Sequence, residues 1–148
     1  MYLLEIYQHK QIKNITEAKN GELVLPGRVY IAPGDYHMTI ENKGTKVRIK
    51  LNQNPSENYC RPNANPMLES ITKMYGAKVC SVVPTGMASD WINDCRCIVA
   101  AGGQVFAQDF ETSVVCGILI VVFDASLCSK VLPLIEIAPV QNILLYIR

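Results

Sequence analysis

Residues Val79 to Val83 form a short, almost wholly apolar run, bounded by Gly76 on one side and by Pro84-Thr85-Gly86 on the other. A strand with one wet face would alternate. This run does not, which predicts a strand buried on both faces, as in a parallel sheet flanked by helices. The next segment fits that setting: Ser89 or Asp90 can cap a helix from Trp91 to Ala101, Gly102-Gly103 closes it, and Val105 to Ala107 reads as the next strand. Strand and helix in alternation predict an α/β fold built on an open, mostly parallel sheet.

The flanking segments extend the pattern. Asn65 before Pro66 predicts a helix N-cap with proline at the first helical position, followed by Leu68, Ile71 and Tyr75 at helical spacing and by Gly76 as the stop. Upstream, Lys46, Arg48 and Lys50 alternate with Val47, Ile49 and Leu51, the period of a half-exposed strand. With Met38 to Ile40 it predicts a β-hairpin through Asn42-Lys43-Gly44. Leu23-Val24-Leu25 and Val29-Tyr30-Ile31 flank a Pro26-Gly27 turn, and Ala32-Pro33-Gly34-Asp35 ends the second piece in a loop. Downstream, Val131 to Leu134 fits a short strand and Ile137 to Tyr146 a terminal helix with proline in its first turn. Periodicity leaves both helix and strand open for the apolar stretch after Ser113. Without an internal repeat or a linker, one domain over 1–148 is expected.

A net charge of +1 offers no basic stripe with which to capture nucleic acid. The apolar run from Val114 to Phe123 is about half of what a membrane span needs, and Met1 to Lys10 does not read as a signal peptide. The chain therefore reads as soluble and cytoplasmic, with no membrane insertion. Its six cysteines form no C-x-x-C pair and only two histidines are present, which argues against a zinc site. Cys80 and Cys116 sit in apolar runs as small hydrophobes, and a helix would point Cys95 and Cys97 apart. Reduced, structural thiols are the expectation.

Chemistry is best placed in Thr85-Gly86-Met87-Ala88-Ser89-Asp90, because open α/β sheets build sites beyond the carboxyl ends of their strands. A carboxylate there can orient a histidine and stabilise its imidazolium during nucleophilic catalysis. It can equally be no more than a helix cap.

A wider set of residues bears on that choice. Gly27-Arg28-Val29-Tyr30-Ile31-Ala32-Pro33-Gly34-Asp35-Tyr36-His37-Met38, Arg61-Pro62, Thr85-Gly86-Met87 with Asp90, Gly102-Gly103, Ala107-Gln108-Asp109, Ser113-Val114-Val115 and Gly117 occur in that order. From about Thr16 to Pro133 the chain thereby resembles the C-terminal two-thirds of a CheB-type chemoreceptor methylesterase domain. The resemblance implies a Rossmann-like sheet with an added β-hairpin, truncated at its N-terminal strands. It implies hydrolysis of glutamate methyl esters on methyl-accepting chemoreceptors, deamidation of receptor glutamines, and no metal or organic cofactor. Asp90 falls on the family's triad aspartate and Met87 on a residue lining its active site.

The family's serine nucleophile and its histidine lie in segments upstream of anything in these 148 residues. Gln8-His9 stands too near the Glu17-Ala18 block to be the histidine motif, and His37 has its own counterpart in a family loop, which favours a structural or rim role. None of the serines stands in a nucleophile-elbow context such as Gly-x-Ser-x-Gly. The matched blocks also depart from the family, with Ala88 and Trp91 in a glycine-rich run, Asn63 after Arg61-Pro62, and Ile118-Leu119 after Gly117. An indole next to Asp90 could fill the cleft where a glutamyl side chain enters. The chain is thus expected to be inactive alone, or else to be a non-catalytic interaction module completed by an N-terminal fragment or by self-association. An uncovered sheet side predicts marginal folding, with Val79 to Val83 partly exposed.

Overall fold

The computed structural model describes residues 15–57, 59–84, 91–114 and 126–137, with Trp91 described by its backbone alone. Its elements are β1 (Ile15–Glu17), β2 (Val29–Ile31), β3 (His37–Lys43), β4 (Lys46–Asn52), α1 (Ala64–Tyr75), β5 (Cys80–Val83), α2 (Trp91–Ala100), β6 (Gln104–Gln108) and β7 (Lys130–Leu132). They fall into two compact units, 1–70 and 71–148, whose boundary lies within α1. The pairs β1–β2, β5–β6 and β6–β7 are parallel, and β3–β4 is antiparallel. The α/β class with a mostly parallel sheet and an added hairpin is what the chain forms.

In the first unit, the hairpin turns on Gly44-Thr45 rather than on Asn42 to Gly44, so the first strand continues to Lys43 while the second begins at Lys46 as alternation suggested. Gly44 at φ 70 supplies the positive φ that a two-residue hairpin loop needs at its first position. The segment before β2 lies along β4: Gly21 N–H donates to Ile49 O at 2.8 Å and Val24 N–H to Val47 O at 3.0 Å. The Tyr30 hydroxyl serves the same segment, donating to Leu23 O and accepting from Leu25 N–H. Beneath it Ala18, Met38 and Ile49 are buried, with Leu51 and Met67 packed against them. Fully burying a side chain such as Ile49 contributes about 1.5–3 kcal/mol.

The start of α1 corrects the expected cap. Asn63, not Asn65, occupies the N-cap, since its Oδ1 accepts the Asn65 N–H at 2.9 Å and the helix begins at Ala64. Pro66 is then the third helical residue, where its missing N–H still costs nothing.

In the second unit β6 is the central strand, with β5 and β7 on either side. Val79, Val83, Val105, Phe106 and Ala107 are buried with Cys95 and Ile98 of α2. Along the run expected to be partly exposed, Val79, Ser81 and Val83 are buried and only Cys80 and Val82 are intermediate. On α2, Cys95 points inward and Cys97 outward. The helix ends in a Schellman arrangement, with Gly103 N–H on Ile98 O, Gly102 N–H on Val99 O, and Gly102 at φ 82. A Cβ on Gly103 would stand 2.7 Å from Ile98 Cγ2 and 2.9 Å from Val79 O, so the α2–β6 junction closes only over glycine.

The stretch at 115–125, with Cys116, Gly117 and Ile118-Leu119, lies outside the described residues, as does most of the expected terminal helix. A helical turn begins earlier, at 134–137.

Candidate functional site

The carboxyl ends of β5, β6 and β7 lie side by side, because Val83 pairs with Ala107 and Ala107 with Val131. The chain leaves β5 through Pro84 into 85–90 and returns as α2 at Trp91. Met87 and Asp90, the residues expected to line and to serve the site, lie outside the described residues, as do Ser89, His9 and the Trp91 indole.

What is described there is the neighbouring rim. Gln108, 2% exposed at the end of β6, donates from its carboxamide to Thr112 O at 2.7 Å and to Thr112 Oγ1 at 3.2 Å. The Thr112 hydroxyl donates in turn to Asp109 Oδ1, which also takes the Thr112 N–H at 2.8 Å. That hydroxyl accepts Leu134 N–H at 3.2 Å, and Asp109 N–H donates to Leu132 O at 2.9 Å. Thr112 thereby ties the turn after β6 to the turn after β7. The sequence signalled Gln108 and Asp109 as part of a block, but no spacing rule pointed to Thr112.

Three described serine hydroxyls are committed elsewhere. Ser70 Oγ donates to Met67 O and accepts Ile40 N–H, Ser113 Oγ donates to Asp109 O, and Ser129 Oγ accepts Val105 N–H. His37 is 1% exposed, and its ring is spent on main chain: Nδ1 accepts Asn63 N–H at 3.3 Å and Nε2 donates to Pro55 O at 3.1 Å. This tautomer fixes the ring as a clasp between Pro55 and Asn63, at either end of the segment joining β4 to α1, and leaves no nitrogen to activate a nucleophile. Among the described residues, no serine meets a histidine, and no three His, Cys, Asp or Glu side chains converge as metal ligands would. No described helix is long and apolar enough to cross a membrane.

Beside the clasp, Arg61 donates from Nε and Nη2 to Asp35 Oδ1 and from Nη1 to the carbonyls of Gln53 and Asn54, while Gln53 Nε2 donates to Asp35 Oδ2 at 2.9 Å. The guanidinium holds the Asp35 carboxyl below its ordinary range, by hydrogen bonding first and by charge second. In the second unit, burial pushes the Cys95 thiol up to about 11, with Cys128 and Asp94 adding to the rise. Burial also raises Cys128. Neither thiol has the electropositive, accessible setting of a nucleophile.

A parallel sheet flanked by a helix, with a polar, hydrogen-bonded rim at its carboxyl end, defines the class of α/β proteins that carry their chemistry on strand-exit loops. Residues 2–140 match the family model for CheB methylesterase, and the chain belongs to that family. It is 51% identical over 123 residues to protein-glutamate methylesterase/protein-glutamine glutaminase 1 of Paramagnetospirillum magneticum, covering 83% of this chain and 32% of that protein. The Azospirillum brasilense protein-glutamate methylesterase/protein-glutamine glutaminase is 47% identical over 127 residues, 85% of this chain and 32% of the relative. The Thermotoga maritima CheB methylesterase catalytic domain superposes with a TM-score of 0.76 at 36% identity, over 80% of this chain and 62% of that one. The chain thus spans about a third of the length of the curated relatives it matches.

Proposed function

We propose that these 148 residues supply one part of a cytoplasmic protein-glutamate methylesterase and glutamine deamidase acting on methyl-accepting chemoreceptors. The 51% identity to a relative of that name is the observation that carries this reading. Asp90, in the sequence between β5 and α2, is the triad acid, orienting a histidine and stabilising its imidazolium, and Met87 lines the substrate cleft. The serine and histidine come from residues outside these 148, and both compact units belong to one catalytic domain. Alone, the chain is inactive, since His37 is spent as a clasp.

The test is methanol release from methylated receptor, with and without a polypeptide bearing the family's serine and histidine segments. The chain alone stays at background, and the mixture releases methanol. Asp90→Asn abolishes the restored release, because an amide holds the wrong histidine tautomer. Equal restored release from wild type and Asp90→Asn would remove the catalytic role. Release by the chain alone would overturn the division of the triad.

A second reading, a non-catalytic module completed by another chain, is favoured by one feature. Among the described residues β5 has a strand partner on one side only, although Ser81 and Val83 are buried. An open edge of this kind accepts a further strand. Complex formation without methanol release distinguishes this reading.

A further inference from the structure

The core changes character at one residue, where β6 reaches its carboxyl end. Val105, Phe106 and Ala107 are apolar and at most 2% exposed, and Gln108, equally buried, follows them with a carboxamide. A leucine there would continue the core without taking a polar group out of water. The carboxamide has instead a fixed orientation. Thr112 O can only accept, so the group 2.7 Å from it is the Gln108 nitrogen, which also reaches Thr112 Oγ1 at 3.2 Å.

The residue that holds Gln108 is itself held. Thr112 donates to Asp109 Oδ1 from both its N–H and its hydroxyl, and the hydroxyl oxygen takes Leu134 N–H. Thr112 is exposed, so the lock closes over the buried carboxamide from the solvent side. Asp109 N–H on Leu132 O and Ser113 Oγ on Asp109 O complete the tie between the exits of β6 and β7. A satisfied polar network of this kind specifies one arrangement and makes it rigid.

Its location gives that rigidity a use. Val83 pairs with Ala107, so Gln108 stands one step beyond the last β5–β6 pair, level with Pro84, where the chain departs for 85–90. These residues share one compact unit. We infer that Gln108, locked by Thr112, is a positioning residue for ester and amide hydrolysis. It fixes the rim beside the exit of β5 and acts through the main chain of that rim, without touching substrate. The inference rests on the reading of the chain as part of a protein-glutamate methylesterase and deepens it. A misplacement of about 1 Å, even from a change far from the chemistry, costs roughly 100-fold in rate.

The experiment measures kcat and KM for methanol release from methylated receptor, using the full chain mixed with a polypeptide bearing the family's serine and histidine segments. Gln108→Leu, Thr112→Val and Thr112→Ser are compared with wild type, each with a thermal melt and with rates expressed per folded chain. Gln108→Leu keeps an apolar side chain of similar size in the core, and exposed Thr112 turns to water. Gln108→Leu and Thr112→Val are expected to lower kcat roughly 10- to 100-fold at unchanged KM. Thr112→Ser, which keeps the hydroxyl, retains the wild-type kcat. Wild-type kcat in folded Gln108→Leu, or a change confined to KM, overturns the positioning role alone. If Gln108→Leu fails to fold, Thr112→Val decides by the same criterion. An equal loss in Thr112→Ser and Thr112→Val overturns the lock. Absence of release from the wild-type mixture overturns the methylesterase reading and the inference with it.

Discussion

Arg61 grips a single oxygen of Asp35 with two nitrogens, Nε and Nη2, while Gln53 takes the other oxygen. Because this lowers the folded-state pKa of Asp35, the unfolded chain takes up its proton first as pH falls. The pair's contribution is therefore present above the ordinary aspartate value of about 4 and is lost as pH drops through the lowered folded value. Melting curves of wild type and Asp35→Asn should differ at neutral pH and converge in acid. Asparagine is the informative replacement because it tolerates the φ of 65°. A difference that persists unchanged to low pH would contradict this account.

His37→Ala should be among the more damaging substitutions in the first unit. It empties a buried ring site and leaves the Asn63 N–H and Pro55 carbonyl without their partner. The expected loss is about 3 kcal/mol, combining cavity and unsatisfied-group costs. Urea unfolding gives the value, and a change below about 1 kcal/mol would show that the ring is not a clasp.

Gly103→Ala forces a methyl group against Val79 O and Ile98. Overpacking of this kind costs about 1–3 kcal/mol. Gly34→Ala, where nothing lies within 4 Å, is the control. Equal unfolding midpoints for the two variants would refute the closed junction.

The cysteines should separate by reactivity. With its folded value near 11 against an ordinary 9.0, buried Cys95 stays protonated near pH 8.5 and is shielded from reagent, whereas Cys60 and Cys97 are exposed. Mass spectrometry after brief alkylation near pH 8.5 should find Cys60 and Cys97 modified and Cys95 spared. By linkage the raised thiol stabilises the fold below pH 9, and that contribution is lost as pH rises through the interval from 9.0 to about 11.

What could be read from the residues divides along local and non-local lines. The hairpin, α1 and the β5–α2–β6 order are written in short-range periodicity and punctuation, so only their edges moved. Two asparagines two positions apart both precede helix-compatible residues, and only the Asn63 Oδ1 contact to Asn65 N–H decides between them. Strand β1 left no pattern: it has three residues, two of them exposed, and it exists by pairing with a strand 14 residues later. Asp90 and Met87 are expectations from the family resemblance and lie outside the described residues. The Thr112 bridge between two strand exits depends on β6–β7 pairing, which no spacing encodes.

Seven cross-strand pairs closed by Gly44-Thr45 make the β3–β4 hairpin an early-forming element, since short loops close in well under a microsecond and hairpins zip within microseconds. Zipping from Gly44 reaches the His37–Asn52 pair last. Only that final rung seats the imidazole between Pro55 and Asn63, so the braced loop assembles after the ladder beneath it. In the native protein the order reverses: fraying from the open end frees the 53–63 segment first, and its amide hydrogens should exchange ahead of those beside Ile49.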